Sequence, residues 1–357
     1  MQFIKGMDVS MVKELEDHGA AYYLKGKEKD VFTILKEAGA NLVRLRLWNN
    51  PYSMAGEAYG GGTNDFKTTV ELARRVVDND LQFMLDFHYS DFWADPAKQL
   101  KPKEWKHLSG EALQSVVYQY TIDTLRRLKE EGLLPAIVQV GNEITNGLLW
   151  PDGNRENTQE MAMLIKAGIS GVKEVDSNIK VLLHLDFGTD NEMYRKWFTD
   201  IAPYGLDFDM IGMSYYPYWN GSLSSLLYNM NDISKTFHKD VLVAETAIGY
   251  TTDALGCNGV VFSEELEEKT GYPATQEGQE QFLRDLYETV RKVENHRGIG
   301  VLYWEPAWLP IRECAWAKPI GCHYMKDKAE TRNSWANQAL FDAQGNANNA
   351  LINLKNL

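Results

Sequence analysis

Eight short β-rich runs alternate with longer amphipathic stretches from one end of this chain to the other, and that alternation restricts the fold more than any other feature. The strand-like runs are "FIKGMDVS" (3–10), "NLVRLRLW" (41–48), "LQFMLDFHY" (81–89), "AIVQVGNE" (136–143), "IKVLLHLD" (179–186), "FDMIGMSYY" (208–216), "DVLVAET" (240–246) and "IGVLYWEP" (299–306). Between them lie helical patterns such as "DVFTILKEAG" (30–39), "FKTTVELARRVVDN" (66–79), "ALQSVVYQYTIDTLRRLKEEG" (112–132) and "GQEQFLRDLYETVRKVENH" (278–296). Their apolar positions recur at three- and four-residue spacing, as a helix covering a core requires. "KEAG" and "KEEG" place charge and then Gly where helices stop. With no Pro/Gly-rich linker and no shift of composition, the 357 residues predict one (β/α)8 TIM barrel, a single domain over 1–357. A doubly wound sheet is the alternative, but it usually has fewer units and often a Gly-rich phosphate turn; neither GxGxxG nor GxxxxGK occurs here.

Composition narrows the partners. A formal charge of −13 opposes a phosphate-rich ligand, so no nucleic acid is expected, and it disfavours a polyanionic polysaccharide. No apolar run approaches the roughly 20 residues of a membrane helix. A neutral ligand fits better, and 10 Trp, 18 Tyr and 13 Phe supply flat faces beyond what a core consumes. Cys257, Cys314 and Cys322 cannot all pair within one chain; a Cys314–Cys322 loop disulfide and three unpaired thiols both remain open.

In a barrel, chemistry sits where strands end and βα loops begin. Reading those ends in order gives Asp8, Arg46, His88, Glu143, Asp186, Tyr215 with Tyr216, Glu245, and Trp304 with Glu305. Few of these suit packing. Glu143 closes the fourth run and Glu245 the seventh, so two carboxyls face each other across part of the mouth. Glycoside hydrolysis needs that arrangement: one protonated carboxyl gives its proton to the leaving oxygen, and one carboxylate attacks the anomeric carbon or activates water. The competing explanation is that each Glu forms a buried ion pair with Arg46 or a neighbour. Under the catalytic explanation Asn142 hydrogen-bonds a sugar hydroxyl beside the reacting carbon, while Arg46 and Tyr216 hold the nucleophilic carboxylate ionised and oriented.

These residues also carry a family likeness. "GNE" ending the fourth strand, a second Glu ending the seventh and an aromatic ending the eighth resemble clan A of the retaining glycoside hydrolases. More narrowly, "HYSDFWADPAKQLKPKEW", "VQVGNEITNGLLWP", "IGMSYYPYWNG" and "YWEPAW" resemble glycoside hydrolase family 53, the endo-β-1,4-galactanases, over residues 3 to about 308. The resemblance implies that Glu143 is the acid/base and Glu245 the nucleophile of a retaining double displacement, with the carboxyls about 5 to 5.5 Å apart. It implies β-1,4-galactan, in type I arabinogalactan or pectin side chains, as substrate. Another β-1,4-glycanase of the same clan and a barrel reduced to a binding protein are the alternatives; the motifs outside "GNE" oppose the first and retention of both carboxyls the second.

Galactose presents an apolar ring patch to aromatic side chains, which nominates Trp304 as platform at the cleavage point, with Trp93, Trp219 and Trp308 lining neighbouring subsites and Tyr89, Tyr215 and Tyr218 nearby. His88 is expected as a hydrogen-bonding partner, since no HxxxH or Cys/His cluster supports a transition metal. Asp91 is expected to shape its loop or touch sugar. "YGGGTND" (59–65) reads as a tight turn serving backbone geometry, without a Walker lysine. No cofactor is needed for the chemistry. The resemblance allows a structural calcium in the long connections 253–275 and 309–334, where Asp253, Asn258, Asp327 and Asn333 offer oxygens, although no EF-hand spacing is present. A monomer acting outside the cytoplasm, extracellular, surface-bound or periplasmic, is expected from the size of the substrate, with no signal-like segment in the sequence itself.

Overall fold

The computed structural model describes residues 2–326 and 331–357. Eight parallel strands close into a barrel in sequence order: β1 (Ile4–Asp8), β2 (Leu42–Leu47), β3 (Gln82–Phe87), β4 (Ile137–Val140), β5 (Lys180–Leu185), β6 (Met210–Ser214), β7 (Asp240–Thr246) and β8 (Gly298–Trp304), with β8 returning to β1. The main outer helices are α1 (Val31–Ala38), α2 (Phe66–Asp78), α3 (Gly110–Glu130), α4 (Thr158–Val175), α5 (Asn191–Ile201), α6 (Leu223–Phe237) and α7 (Gln276–Arg291). The expected alternation is therefore present, with one departure. After β8 the chain runs through a long connection before a four-residue helix, α8 (Asn349–Ile352), which is tied to α7 where Asn349 meets Gln276 and Glu277.

Local chemistry sets the helix ends. Asp30 caps α1 by accepting from the N–H groups of Phe32 and Thr33, and Gly39 ends it in the left-handed region at φ 107°. Asp65 caps α2 and Thr275 caps α7 in the same way, each accepting an orphan N–H of the first turn.

Side chains inside the barrel form two layers of opposite character. The lower one is an apolar plug in which Leu42, Met84, Ile137, Leu182, Met210, Leu242 and Leu302 meet around the axis, all essentially inaccessible to water. One pleat repeat further along the strands the inward positions become polar: Arg44 follows Leu42, Asp86 follows Met84, Gln139 follows Ile137 and His184 follows Leu182. The plug seals the floor and the polar layer faces the C-terminal mouth, where barrel enzymes place their sites. No helix among the described residues is long and apolar enough to cross a membrane.

Candidate active site

A groove of about 510 Å³ opens at the C-terminal mouth, lined by both Glu143 and Glu245 together with Asp8, Arg44, Asn142 and Tyr216 on its floor. Two backbone irregularities aim the carboxyls. β4 stops at Val140, short of the run read from sequence, and Glu143 lies beyond it in the left-handed region at φ 46°, ψ 52°. That conformation is costly for a residue with a Cβ and persists where the surroundings enforce it. On β7 the pairing with β6 slips between Met213 and Ser214, so that Val243 opposes Met213 but Glu245 opposes Ser214. The slip turns Glu245 inward from a position that simple alternation after Leu242 would point away from the axis.

The environments of the two carboxyls differ. Glu245 Oε1 accepts from Arg44 Nη2 at 2.6 Å and Oε2 from the Tyr216 hydroxyl at 3.0 Å. Among the described residues Glu143 has no cationic partner; its Oε1 lies 2.6 Å from Ser214 Oγ. Burial pushes Glu143 well above the usual carboxylate range, and the charges of Glu245 and Asp186 push the same way. Burial raises Glu245 too, but the Arg44 guanidinium opposes it. One proton shared by the pair therefore belongs on Glu143, leaving Glu245 as the carboxylate.

Arg44 is the residue that the sequence did not single out. Its Nε donates to Asp8 Oδ2 at 2.7 Å, Nη1 to Gln139 Oε1 at 3.1 Å and Nη2 to Glu245, so one buried guanidinium fixes three groups. The task expected of Arg46 falls to it instead. Arg46 is one pleat repeat nearer the rim, where its Nη1 meets Glu305 Oε1 at 2.5 Å and its Nη2 donates to Gly61 O at 2.9 Å. Its guanidinium lies 4.4 Å from the centre of the Trp93 ring, so it supports the aromatic wall rather than Glu245. The "YGGG" turn completes that support. Gly60, Gly61 and Gly62 all have positive φ, and a Cβ on Gly61 would stand 2.7 Å from Trp316 O.

Other expected residues divide between groove and scaffold. Trp93, Trp304, Trp219, Asn142 and His88 all line the groove. Asn142 donates one amide proton to Ala94 O at 2.9 Å, which leaves its second for the groove. His88 Nδ1 accepts from Trp48 Nε1 at 3.1 Å and Nε2 stands 3.2 Å from Asp86, so both nitrogens are already engaged by protein. Two residues, Tyr215 and Trp308, are corrected, and Asp91 takes the first of its two expected roles. Asp91 is fully buried and accepts from Lys103 N at 2.7 Å and the Tyr324 hydroxyl at 3.1 Å, anchoring loops away from the groove. Tyr215 points outward, its hydroxyl on Gly221 O at 2.7 Å and its ring against Phe282. Trp308 is fully buried with Nε1 on Cys314 O, packed behind Trp316 at 4.9 Å between ring centres.

The wall that Trp308 supports contains two tryptophans not anticipated from sequence. Trp316 stacks on Trp304 at 5.5 Å and 16°, and Trp335 meets Trp304 edge-on at 4.7 Å and 89°; both line the groove. They lie in the long connection after β8, where no periodicity marks which aromatics face inward.

Among the described residues no disulfide joins Cys314 to Cys322. No group of three or more His, Cys, Asp or Glu among the described residues could hold a metal ion. Asn333 spends its amide protons on Leu309 O and Ile311 O, Asn258 O accepts from Arg332, and Asp253 stays on an exposed loop; Asp327 lies outside the described residues. The described loop residues thus bring no cluster of carboxylates together around Asn333, whose Oδ1 is buried without a partner among them.

Comparison with known proteins agrees with this geometry. The model of Glycosyl hydrolase family 53 matches residues 4–354. A protein of Niallia circulans described as an uncharacterized protein in the bgaB 5' region is 43% identical, the match covering 96% of this chain and 91% of that protein. An endo-β-1,4-galactanase of Bacillus subtilis (strain 168) is 37% identical over 96% of this chain and 83% of its own length. Among solved structures, the Ignisphaera aggregans GH53 catalytic domain superposes with a TM-score of 0.91 at 38% identity, covering 98% of this chain and 95% of that one.

Proposed function

The chain belongs to glycosyl hydrolase family 53 and is a glycoside hydrolase, and on that footing we propose that it is an endo-β-1,4-galactanase opening the galactan side chains of type I arabinogalactan or pectin. The observation that carries the mechanism is the unequal setting of two carboxyls on one groove: Glu245 is held by Arg44 and Tyr216, and Glu143 is buried with no cation beside it among the described residues. Glu143 gives its proton to the glycosidic oxygen as the bond to the anomeric carbon breaks. Glu245 attacks that carbon from the other side and forms a galactosyl-enzyme ester. Water then enters, loses a proton to Glu143 and displaces Glu245, so anomeric configuration is retained. Both half-reactions use only these carboxyls and water, and the family acts without cofactors.

Support for the substrate comes from the Bacillus subtilis relative, named an endo-β-1,4-galactanase, and from a groove walled by Trp93, Trp304, Trp316 and Trp335, whose flat faces suit a neutral sugar chain. Asn142 offers its second amide proton to a hydroxyl near the reacting carbon. The whole chain serves as one catalytic domain, working as a monomer on polysaccharide outside the cytoplasm.

The test is reducing-end release from β-1,4-galactan, run beside β-mannan, carboxymethylcellulose and polygalacturonate, with products sized over time. Mid-length fragments from galactan alone are expected; activity confined to another glycan would overturn the substrate. Glu245→Ala should abolish hydrolysis while keeping galactan binding. Glu143→Ala should spare an activated aryl galactoside far more than polymer, and equal losses on both would remove Glu143 from the acid role.

A further inference from the structure

Ser214 stands between Glu143 and a buried imidazole, and hydrogen-bond polarity can be followed along that chain from two fixed ends. Arg44 only donates, so Gln139 must turn Oε1 to it and Nε2 the other way, toward Asp86 Oδ1 at 2.7 Å and Asn142 Oδ1 at 3.0 Å. Ala94 O only accepts, so Asn142 must turn Nδ2 to it and Oδ1 toward His184 Nδ1, 3.0 Å away. Two bare acceptors at that distance would repel, so Nδ1 carries the imidazole proton. Gln139 Nε2 also lies 3.2 Å from Nδ1, but Asp86 Oδ1, Asn142 Oδ1 and Gly141 O at 3.1 Å all stand nearer and compete for its two protons, so Nδ1 is the weakest claimant. His184 Nε2 is then a bare acceptor, 2.9 Å from Ser214 Oγ. The imidazole stays neutral, because burial and the nearby Arg44 charge hold it well below the usual histidine range.

The Ser214 hydroxyl has one proton and two places to put it: His184 Nε2 and, at 2.6 Å, Glu143 Oε1. We propose that Ser214 is a positioning residue whose hydroxyl turns between them, donating to His184 while Glu143 carries the proton and to Glu143 once that proton has left. In the first half-reaction Glu143–OH donates to Ser214 Oγ until it passes its proton to the leaving oxygen. The hydroxyl then rotates and meets the new carboxylate. When water later returns a proton to Glu143, it turns back. Ser214 never gives up its own proton, so the balance of the reaction is unchanged. This inference rests on Glu143 being the acid/base.

The other ionisable groups around Glu143 are Glu245 on β7, Asp186 following β5, Asp95 after β3, and the phenols of Tyr216 and Tyr194. Around His184 they are Arg44 and His88. None is changed by altering Ser214, so a shift in the alkaline limb of kcat/KM reports the hydroxyl itself. Ser214→Ala removes a donor that favours the ionised carboxyl more than the neutral one, and should move that limb upward by about half to one pH unit. Ser214→Thr keeps the hydroxyl and should restore it. His184→Leu removes the competing acceptor, leaves the hydroxyl on Glu143 throughout, and should move the limb the other way.

The experiment is the pH profile of kcat/KM on galactan for these three variants, each checked for native circular dichroism, with Glu143→Gln on an activated aryl galactoside as control. Opposite shifts for Ser214→Ala and His184→Leu with recovery in Ser214→Thr are expected. An unmoved limb in Ser214→Ala, whatever its turnover, overturns the positioning role while leaving Glu143 as acid. If His184→Leu does not fold, the Ala and Thr pair still decides. Persistence of the same limb in Glu143→Gln overturns both the acid assignment and this inference.

Discussion

The lower and upper layers of the barrel interior are built by the same strands one pleat repeat apart, yet they obey different rules. Below, Leu42, Met84, Ile137, Leu182 and Leu242 fill space, and any of them has several neighbours of the same kind. Above, Arg44, Asp86, Gln139 and His184 each have assigned partners at hydrogen-bond distance, ending on Glu245 at one side and Glu143 at the other. The lower layer stabilises the fold by removing apolar surface from water, about 25 cal/mol per Å². The upper layer keeps charge in a buried place, which costs stability unless every group is matched. The proposed mechanism uses that second condition: Glu143 would serve as acid because the same burial that strains the fold holds a proton on it.

Breaking each layer should therefore produce a different kind of damage. Arg44→Met leaves Glu245 buried without its cation and Asp8 with only the more distant Arg46, 3.8 Å away, at a cost of about 3 to 5 kcal/mol of stability. On the proposed mechanism it also frees the attacking carboxylate, so galactan turnover at a temperature where the variant is folded should drop by about a hundred- to a thousandfold. Leu242→Ala, one layer down, should lose about 2 to 5 kcal/mol by leaving a cavity. Its kcat, measured below its own melting transition, should stay within about twofold of the parent. Urea denaturation and steady-state assays on the two variants separate the layers; comparable kcat losses in both would mean that the plug and the polar layer are mechanically one unit.

The same contrast explains what was legible in the sequence. A plug of Leu, Ile and Met writes a periodic signal, so the eight strands, four of the outer helices and the barrel closure could be read directly. The identities of Glu143 and Glu245 were readable because carboxyls at strand ends have no packing purpose. Their aim was not, since it depends on a left-handed residue at Glu143 and a slipped register before Glu245, neither of which leaves a periodic trace. Arg44 and Arg46 both alternate inward, and only three-dimensional spacing shows that the deeper one reaches Glu245 while the shallower one reaches Glu305. Trp316 and Trp335 were hidden for a related reason: a long connection after β8 carries them, and contact with Trp304 rather than position in a repeat makes them part of the wall.

A milder break lies at the edge of the polar layer. Asp186 follows β5, accepts from the Thr145 hydroxyl, and is pushed up to about 6 by burial. Its folded value exceeds the unfolded 3.8, so between those two pH values the native state holds a proton that the unfolded chain has released. Stability contributed by this group is therefore present at acid pH and lost as pH rises toward 6 and beyond. Asp186→Asn removes that slope, and relative to the parent it should gain roughly 2 kcal/mol on going from pH 4 to pH 7. Denaturation midpoints at the two pH values check this. A parallel fall in both proteins would place the slope elsewhere, in Glu143 or Glu305.

The smallest effect should come from the groove rim, where two tryptophans give the comparison its sharpest form. Trp219 is 53% exposed, touches Tyr216 and Tyr218 at ring distances of 5.2 and 4.7 Å, and lines the groove. Trp308 follows β8 by a similar interval but is fully buried behind the wall. Trp219→Ala removes a stacking face of about 0.5 to 1.5 kcal/mol, which corresponds to a KM for galactan about two- to tenfold higher. Its kcat should hold and its stability should change by no more than about 0.5 kcal/mol. Trp308→Ala reverses every sign in that list, losing about 3 to 5 kcal/mol of stability while the folded fraction keeps its KM. Should Trp219→Ala instead lower kcat and leave KM alone, the rim would be acting on the transition state through Tyr216, the hydroxyl partner of Glu245, and the boundary between binding surface and polar layer would have to be drawn one residue further out.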